Sequence, residues 1–240
     1  MQDNLLLMRL FCWWCLFLVI AGQQVSAQQT DTLPSTPATV RTFPPLRQYY
    51  APVSLLLAGI FVNGHGSEAI KYELVEERNE HIPHFHTRID NYLQFSPIAI
   101  AYGLDAAGIK SRTDFANRTA ILLKGEILMT STVFLLKYTT HELRPDGSTY
   151  NSFPSGHTAQ AFAAATFLSE EYKHRFPWMP YAAYGIAGSV GLLRMANNRH
   201  YISDVLVGAG MGILSMKMAY WTHRYRWNKH RKVPQPVPGQ

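Results

Sequence analysis

Six apolar stretches of helical length divide the chain, at about residues 50–63, 92–109, 118–137, 157–172, 181–196 and 204–221. Polar segments separate them. No run shows the strict apolar–polar alternation, bounded by hairpin turns, that marks a half-buried strand. The pattern predicts an all-α domain, a helical bundle of about six helices with its functional loops at one end. Small residues recur at helix-packing spacing, at Gly185, Gly188 and Gly191 and at Gly208 and Gly212. Such positions let helix backbones approach closely, in membranes especially.

The two ends read differently from the middle. Residues 1–27 have Arg9 near the start, an apolar core from Leu10 to Gly22 and the small-residue site Val25-Ser26-Ala27, the pattern of a secretory signal peptide. Cys12 and Cys15 both lie inside that core, so the rest of the chain offers neither disulfide nor thiolate chemistry. Residues 28–48, rich in Gln, Thr, Ser and Pro, read as a linker. The helical domain then occupies 49–227, and 228–240 is a basic, Pro-rich tail.

Charge bears on the membrane question. The stretches run about 14 to 20 residues, several of them marginal against the roughly 20 apolar residues a clean span needs, and Asp105, Lys124, Glu126 and Lys217 fall inside them. Yet Lys110, Arg112 and Arg118 follow the second stretch, Lys173 and Arg175 the fourth, and the basic tail the sixth. Loops of one parity thus carry the cations, as the positive-inside rule requires. After a cleaved signal, six spans would put the basic loops outside. If 50–63 lies on the surface, five spans remain and the basic loops face the cytoplasm. That arrangement is the expectation, with a soluble or peripheral bundle as the alternative. The net charge of +6 suits an anionic lipid or phosphate partner as well as it suits a solvated surface. No nucleic-acid-binding motif accompanies it.

Three fragments within the 68 residues from Lys137 to Asp204 carry the candidate chemistry. Lys137 precedes Arg144-Pro145, where proline disfavours helix at Arg144, so the two cations bracket a helix end and a loop. A planar guanidinium fork and an ammonium suit phosphate oxygens. Pro154-Ser155-Gly156-His157 leads into an Ala-rich helix whose N-terminal amides form an anion site, with Gly156 allowing close approach and the Ser155 hydroxyl as a further donor. Arg194 is followed by His200 and Asp204, four residues apart and so on one helical face. A carboxylate accepting from one ring nitrogen leaves the other free to attack.

The pattern K-x6-R-P, P-S-G-H, R-x5-H-x3-D resembles the type 2 phosphatidic acid phosphatase and vanadium haloperoxidase family. The resemblance implies that His200 is the nucleophile, forming a phosphohistidine, that Asp204 orients it, and that His157 protonates the leaving group. Lys137, Arg144, Ser155, Gly156 and Arg194 would hold the phosphoryl oxygens. It also implies no cofactor and no metal. One departure is Leu193, where the family often has Ser. The expected activity is hydrolysis of a phosphomonoester or pyrophosphate of a lipid, with lipid A, undecaprenyl pyrophosphate and phosphatidic acid as substrate types. The site would face the periplasm from a bacterial inner membrane. A soluble broad-specificity acid phosphatase, a haloperoxidase holding vanadate on His200 and a non-catalytic phosphate-binding bundle are the alternatives. The close cluster His81, His84 and His86, with Asp90, is the one rival metal site. His141 and Glu142 read as solvated loop residues.

Overall fold

A computed structural model of the chain describes residues 46–64 and 70–224. Among them all regular structure is helical: α1 (Arg47–Val62), α2 (Ile70–His81), α3 (Asp90–Leu93), α4 (Ser96–Ala106), α5 (Phe115–Thr140), α6 (Gly156–Tyr172), α7 (Met179–Ala196) and α8 (Ile202–Thr222). The expected signal peptide and tail, and the linker up to residue 45, lie outside the described residues. Helix α1 already begins at Arg47, so Arg47 and Gln48, expected as the end of the 28–48 linker, are helical.

Local chemistry explains the boundaries. Asp114 caps α5 by accepting from the Asn117 amide at 3.1 Å, and His141 ends it in a left-handed conformation (φ 46°). Ser155 caps α6. The second apolar stretch is broken, contrary to expectation. Pro97 enters the first turn of α4, where its missing N–H costs nothing but continuation from α3 is disfavoured. Helix α2 was not expected at all, since IKYELVEERNEH has no apolar stripe.

Helix α8 packs against α1, α5 and α6. A Cβ on Gly208 would lie 2.5 Å from the Ser155 carbonyl oxygen, and one on Gly212 would collide with the Ala159 carbonyl. These two positions therefore require glycine, and across from them Ala159 and Ala163 are fully buried. Gly185 and Gly188 behave otherwise: no atom lies within 4 Å of a Cβ placed there, so neither mediates a close approach within the fold.

Toward the end remote from the motifs, Ile121, Phe167, Leu168, Tyr172 and Met216 form the apolar core, each worth roughly 1.5–3 kcal/mol of burial. Glu171 ties that end together, accepting from the Thr113 amide at 2.8 Å and the Tyr220 hydroxyl at 2.7 Å. Arg118, expected among the loop cations, instead lies inside α5 with 0% exposure. It pairs with Asp105 at 2.9 Å and stacks 4.6 Å from the Tyr102 ring centre, so it is no longer a free charge for membrane orientation. Among the described residues two helices, α5 and α8, are long and apolar enough to cross a membrane. Helix α5 exposes Leu123, Ile127 and Phe134, whereas most of α8 is covered by its neighbours.

Candidate active site

The C-terminal ends of α5 and α7, the N-terminal ends of α6 and α8, and the segment that leads into α3 with the first two residues of that helix converge at one end of the bundle. There a cavity of about 340 Å³ is lined by Arg144, His157, Arg194 and Arg199, and by His86, Thr87, Arg88, Asp90 and Asn91. His200 lies buried beside it.

His200 precedes α8, and Asp204 falls in that helix's first turn, so one turn brings them together. His200 Nδ1 donates to Asp204 Oδ2 at 3.3 Å. The same oxygen accepts from the Ser152 hydroxyl at 2.5 Å and the Tyr201 amide at 3.0 Å, and the other accepts from Ser203 at 3.3 Å. Asp204 is fully buried, and these donors hold its charge in place. With Nδ1 committed, Nε2 is left unprotonated. Burial first, and then the cations Arg194, Lys137 and Arg144, hold the His200 imidazole well below its ordinary pKa and so neutral.

Ser155 starts α6 and is spent differently from expectation. Its amide donates to the Asp204 carbonyl at 3.0 Å. Its hydroxyl lies 2.9 Å from that of Thr158 as the helix cap. That leaves the Gly156 and His157 amides, the first two of the helix, without intrahelical acceptors. A Cβ on Gly156 would sit 3.9 Å from the Lys137 side chain, an ordinary contact. Lys137 itself reaches the carbonyls of Asn151, at 2.5 Å, and Ser152, at 3.4 Å.

Arg144 follows the left-handed turn at His141, and its Nε is buried without a partner. Burial, followed by the nearby guanidiniums of Arg194 and Arg199, lowers its pKa. Like charges held together in this way mark a site built for an anion. Arg194 Nη1 pairs with Asp90 Oδ2 at 2.6 Å, while Arg194 Nε and Asp90 Oδ1 are buried and unpartnered. His157 Nε2 lies 2.8 Å from Asn91 Oδ1.

Asp90 and Asn91 were not anticipated as part of this constellation. Neither was the strap that positions them. Asn197 holds Thr87 twice, accepting from its amide at 2.8 Å and donating to its carbonyl at 2.9 Å. Arg78 of α2 donates to the carbonyls of Ala196 and Phe85 at 2.9 and 3.2 Å. No local spacing signals contacts that cross more than a hundred residues. The only sequence hint is polar crowding just ahead of an apolar stretch.

Other expectations change. His81, His84 and His86 do not converge: among the described residues the one group with metal-ligand spacing is Glu77, Glu80 and His81, all exposed, and His86 instead lines the cavity. His141 is exposed, but Glu142 is not a solvated loop residue. It pairs at 2.8 Å with Lys71 of α2, which is 5% exposed, also donates to Asn63 at 2.8 Å and lies over the Tyr72 and Tyr201 rings. Leu193 is exposed to an intermediate degree and has no role in the pocket.

The model of the PAP2 superfamily matches residues 118–228. A lipid A 1-phosphatase of Porphyromonas gingivalis is 44% identical over 138 residues, which are 57% of this chain and 31% of that protein. The chain thus spans under a third of the length of that curated relative. Among solved structures, LpxE of Aquifex aeolicus has a TM-score of 0.46 and 22% identity, covering 61% of this chain and 93% of that one. A transmembrane PAP2-type phosphatidylglycerolphosphate phosphatase of Bacillus subtilis has a TM-score of 0.44 and 21% identity, covering 71% and 94%. The matched residues 118–228 carry all three motifs, so it is this part of the chain that is similar to the PAP2 superfamily.

Proposed function

We propose that the protein is a metal-independent phosphatase that removes phosphate from a phosphorylated lipid through a phosphohistidine. The observation that carries the reading is the buried His200–Asp204 pair, 3.3 Å apart, beside a cavity lined by Arg144, His157 and Arg194. Nε2 of neutral His200 attacks phosphorus. A P–N bond forms as the P–O bond to the leaving group breaks, and His157 gives its proton to the departing oxygen. Water, deprotonated by the same histidine, then cleaves the P–N bond and restores His200.

During both steps Lys137, Arg144, Arg194 and the Gly156 and His157 amides hold the three non-bridging oxygens. Donors placed in advance for that developing charge are worth roughly 3 kcal/mol each. Asp204 keeps Nδ1 protonated and balances the charge that appears on His200.

A lipid substrate is supported by the 44% identity to the Porphyromonas gingivalis lipid A 1-phosphatase and by the apolar side chains that α5 exposes. In this reading the bundle sits in a bacterial inner membrane behind a cleaved signal peptide, with the pocket facing the periplasm and the basic loops the cytoplasm. The deciding experiment measures phosphate release from lipid A, undecaprenyl pyrophosphate and phosphatidic acid side by side, with and without a chelator. Release that survives chelation is expected; no release from any of the three overturns the reading.

A further inference from the structure

The cavity holds more cation than one phosphoryl group can use. In the proposed reading Lys137, Arg144, Arg194 and two helix amides already serve the three non-bridging oxygens. Two further arginines, Arg88 and Arg199, line the same cavity and belong to none of the three motifs. Exposure grades across these groups. His200 and Arg194 are buried, Arg144 and Arg199 half-buried, and Arg88 and His86 exposed at the mouth.

That gradient has a direction in the chemistry. In-line displacement puts the leaving oxygen opposite the nucleophile. In the proposed reading His157 protonates that oxygen, and His157 lines the cavity together with Arg88 and Arg199, so the leaving group lies on their side.

Both side chains are placed by the fold. Asn198, left-handed at φ 58°, turns the chain so that the Arg199 amide donates back to the Arg194 carbonyl at 3.0 Å. The Arg199 guanidinium is then held by Asp146 at 3.0 Å and Ser148 at 3.4 Å. Across the mouth, the double bond from Thr87 to Asn197 and the Asn91 amide, 3.2 Å from the Arg88 carbonyl, fix the backbone on either side of Arg88. Asp90 is engaged by Arg194 and Asp146 by Arg199, and among the described residues Arg88 has no carboxylate partner.

We propose that Arg88 and Arg199, with His86 beside them, form a second anion subsite that selects substrates carrying a second phosphate beyond the one removed. The proposal rests on the phosphatase reading for its orientation and deepens it to a substrate class. The second phosphate comes either from a pyrophosphate, as the leaving group itself, or from the far end of a bisphosphorylated glycolipid.

The test uses the full chain in detergent micelles, wild type and Arg88→Gln. An exposed side chain carries this substitution, so folding is not at issue. Two comparisons of kcat/KM and one of inhibition constants are made: a lipid pyrophosphate against the lipid monophosphate, a bisphosphorylated disaccharide lipid against its monophosphorylated form, and inorganic pyrophosphate against phosphate as competitive inhibitors. Wild type is expected to favour the two-phosphate member, and Arg88→Gln to lower that preference by about 10-fold, the loss of one charge-assisted hydrogen bond. A drop confined to the first pair identifies the anhydride; a drop confined to the second identifies the remote phosphate. Equal preference in wild type, or a substitution that shifts both members of every pair alike, overturns the subsite. If wild type releases phosphate from no lipid, the phosphatase reading falls by itself. Calorimetric titration with pyrophosphate and with phosphate then still decides whether the subsite exists.

Discussion

Asp90 and Arg194 meet at 2.6 Å across 104 residues, one 1% exposed and the other 7%, and this pair joins the start of α3 to the third motif. A guanidinium near the end of an apolar helix would be costly to bury alone. The carboxylate takes Nη1 and leaves Nε, which has no protein partner, for an incoming phosphate oxygen. Asp90→Ala should therefore do two kinds of damage. Removing one partner of a buried pair costs about 3 kcal/mol of stability, and a loosened Arg194 should raise KM for phosphate esters. A chemical-denaturation curve together with KM for phosphatidic acid checks this. Wild-type values for both would mean that Arg194 is held by something else.

Asn91 makes the complementary contact, 2.8 Å from His157 Nε2. This amide oxygen holds the His157 ring in a fixed orientation. Asn91→Leu should lower kcat on substrates with poor leaving groups more than on a nitrophenyl ester, because only the former require a well-aimed proton. An equal effect on both would mean that the contact merely fills space.

The two histidines should separate in the same way. His200→Ala removes the attacking nitrogen, so turnover should vanish with every substrate. His157→Ala should retain more activity on a nitrophenyl ester than on a lipid phosphate, by about 100-fold, the lower range of a general-acid contribution. Comparing kcat on the two substrates decides the matter, and equal losses in His157→Ala would remove it from the acid role.

The sequence made some of this visible and hid the rest for physical reasons. Apolar stretches mark helices that bury side chains, so α5 through α8 emerge within a few residues of their limits. Helix α2 stayed hidden because it is held by polar contacts. Lys71 bonds Glu142 and Arg78 bonds the end of α7, and neither interaction leaves a periodic apolar trace. The break between α3 and α4 was signalled by Ser96-Pro97 but masked by the hydrophobic residues on both sides. In the site, His200 and Asp204 were legible because one helical turn joins them. Asp90, Asn91 and Thr87 were not, because only the tertiary fold brings them to His157, Arg194 and Asn197. The cap role of Ser155 is equally local, yet its sequence context could not distinguish a cap from a ligand donor.

pH should act through His200. Burial and the surrounding cations lower its folded-state pKa well below 6.5, so the imidazole remains neutral and nucleophilic in mild acid. The acid limb of kcat/KM should then lie below pH 6.5, the ordinary histidine value. Stability follows with a definite sign. As pH falls through about 6.5 the unfolded chain binds a proton at this position and the folded chain does not, so folding weakens by about 1.4 kcal/mol per pH unit until the folded pKa is reached. His200→Gln should remove that part of the acid sensitivity. Parallel stability profiles for the two proteins between pH 6.5 and 5 would contradict it.

Membrane orientation is best tested with single cysteines, because both native ones precede residue 16 and lie in the expected signal peptide. The fold selects the positions. Ser148 is exposed at the pocket end, and Lys110 and His174 are exposed at the opposite end. Ser111 and Asn197 are unsuitable although they lie in the relevant loops: Ser111 is buried and donates to the Thr113 carbonyl at 2.6 Å, and Asn197 secures Thr87. With the pocket facing the periplasm, Ser148→Cys should react with a membrane-impermeant thiol reagent in intact spheroplasts. Lys110→Cys and His174→Cys should react only after lysis. The two ends of the bundle are separated by the length of α5, whose 26 residues at 1.5 Å per residue span about 39 Å, more than the roughly 30 Å hydrocarbon core. Sites at opposite ends therefore cannot share a compartment if the helix crosses. Labelling of all three in intact spheroplasts would make the bundle peripheral or soluble. Labelling of Lys110→Cys and His174→Cys alone would turn the pocket toward the cytoplasm and add α1 to the spanning helices.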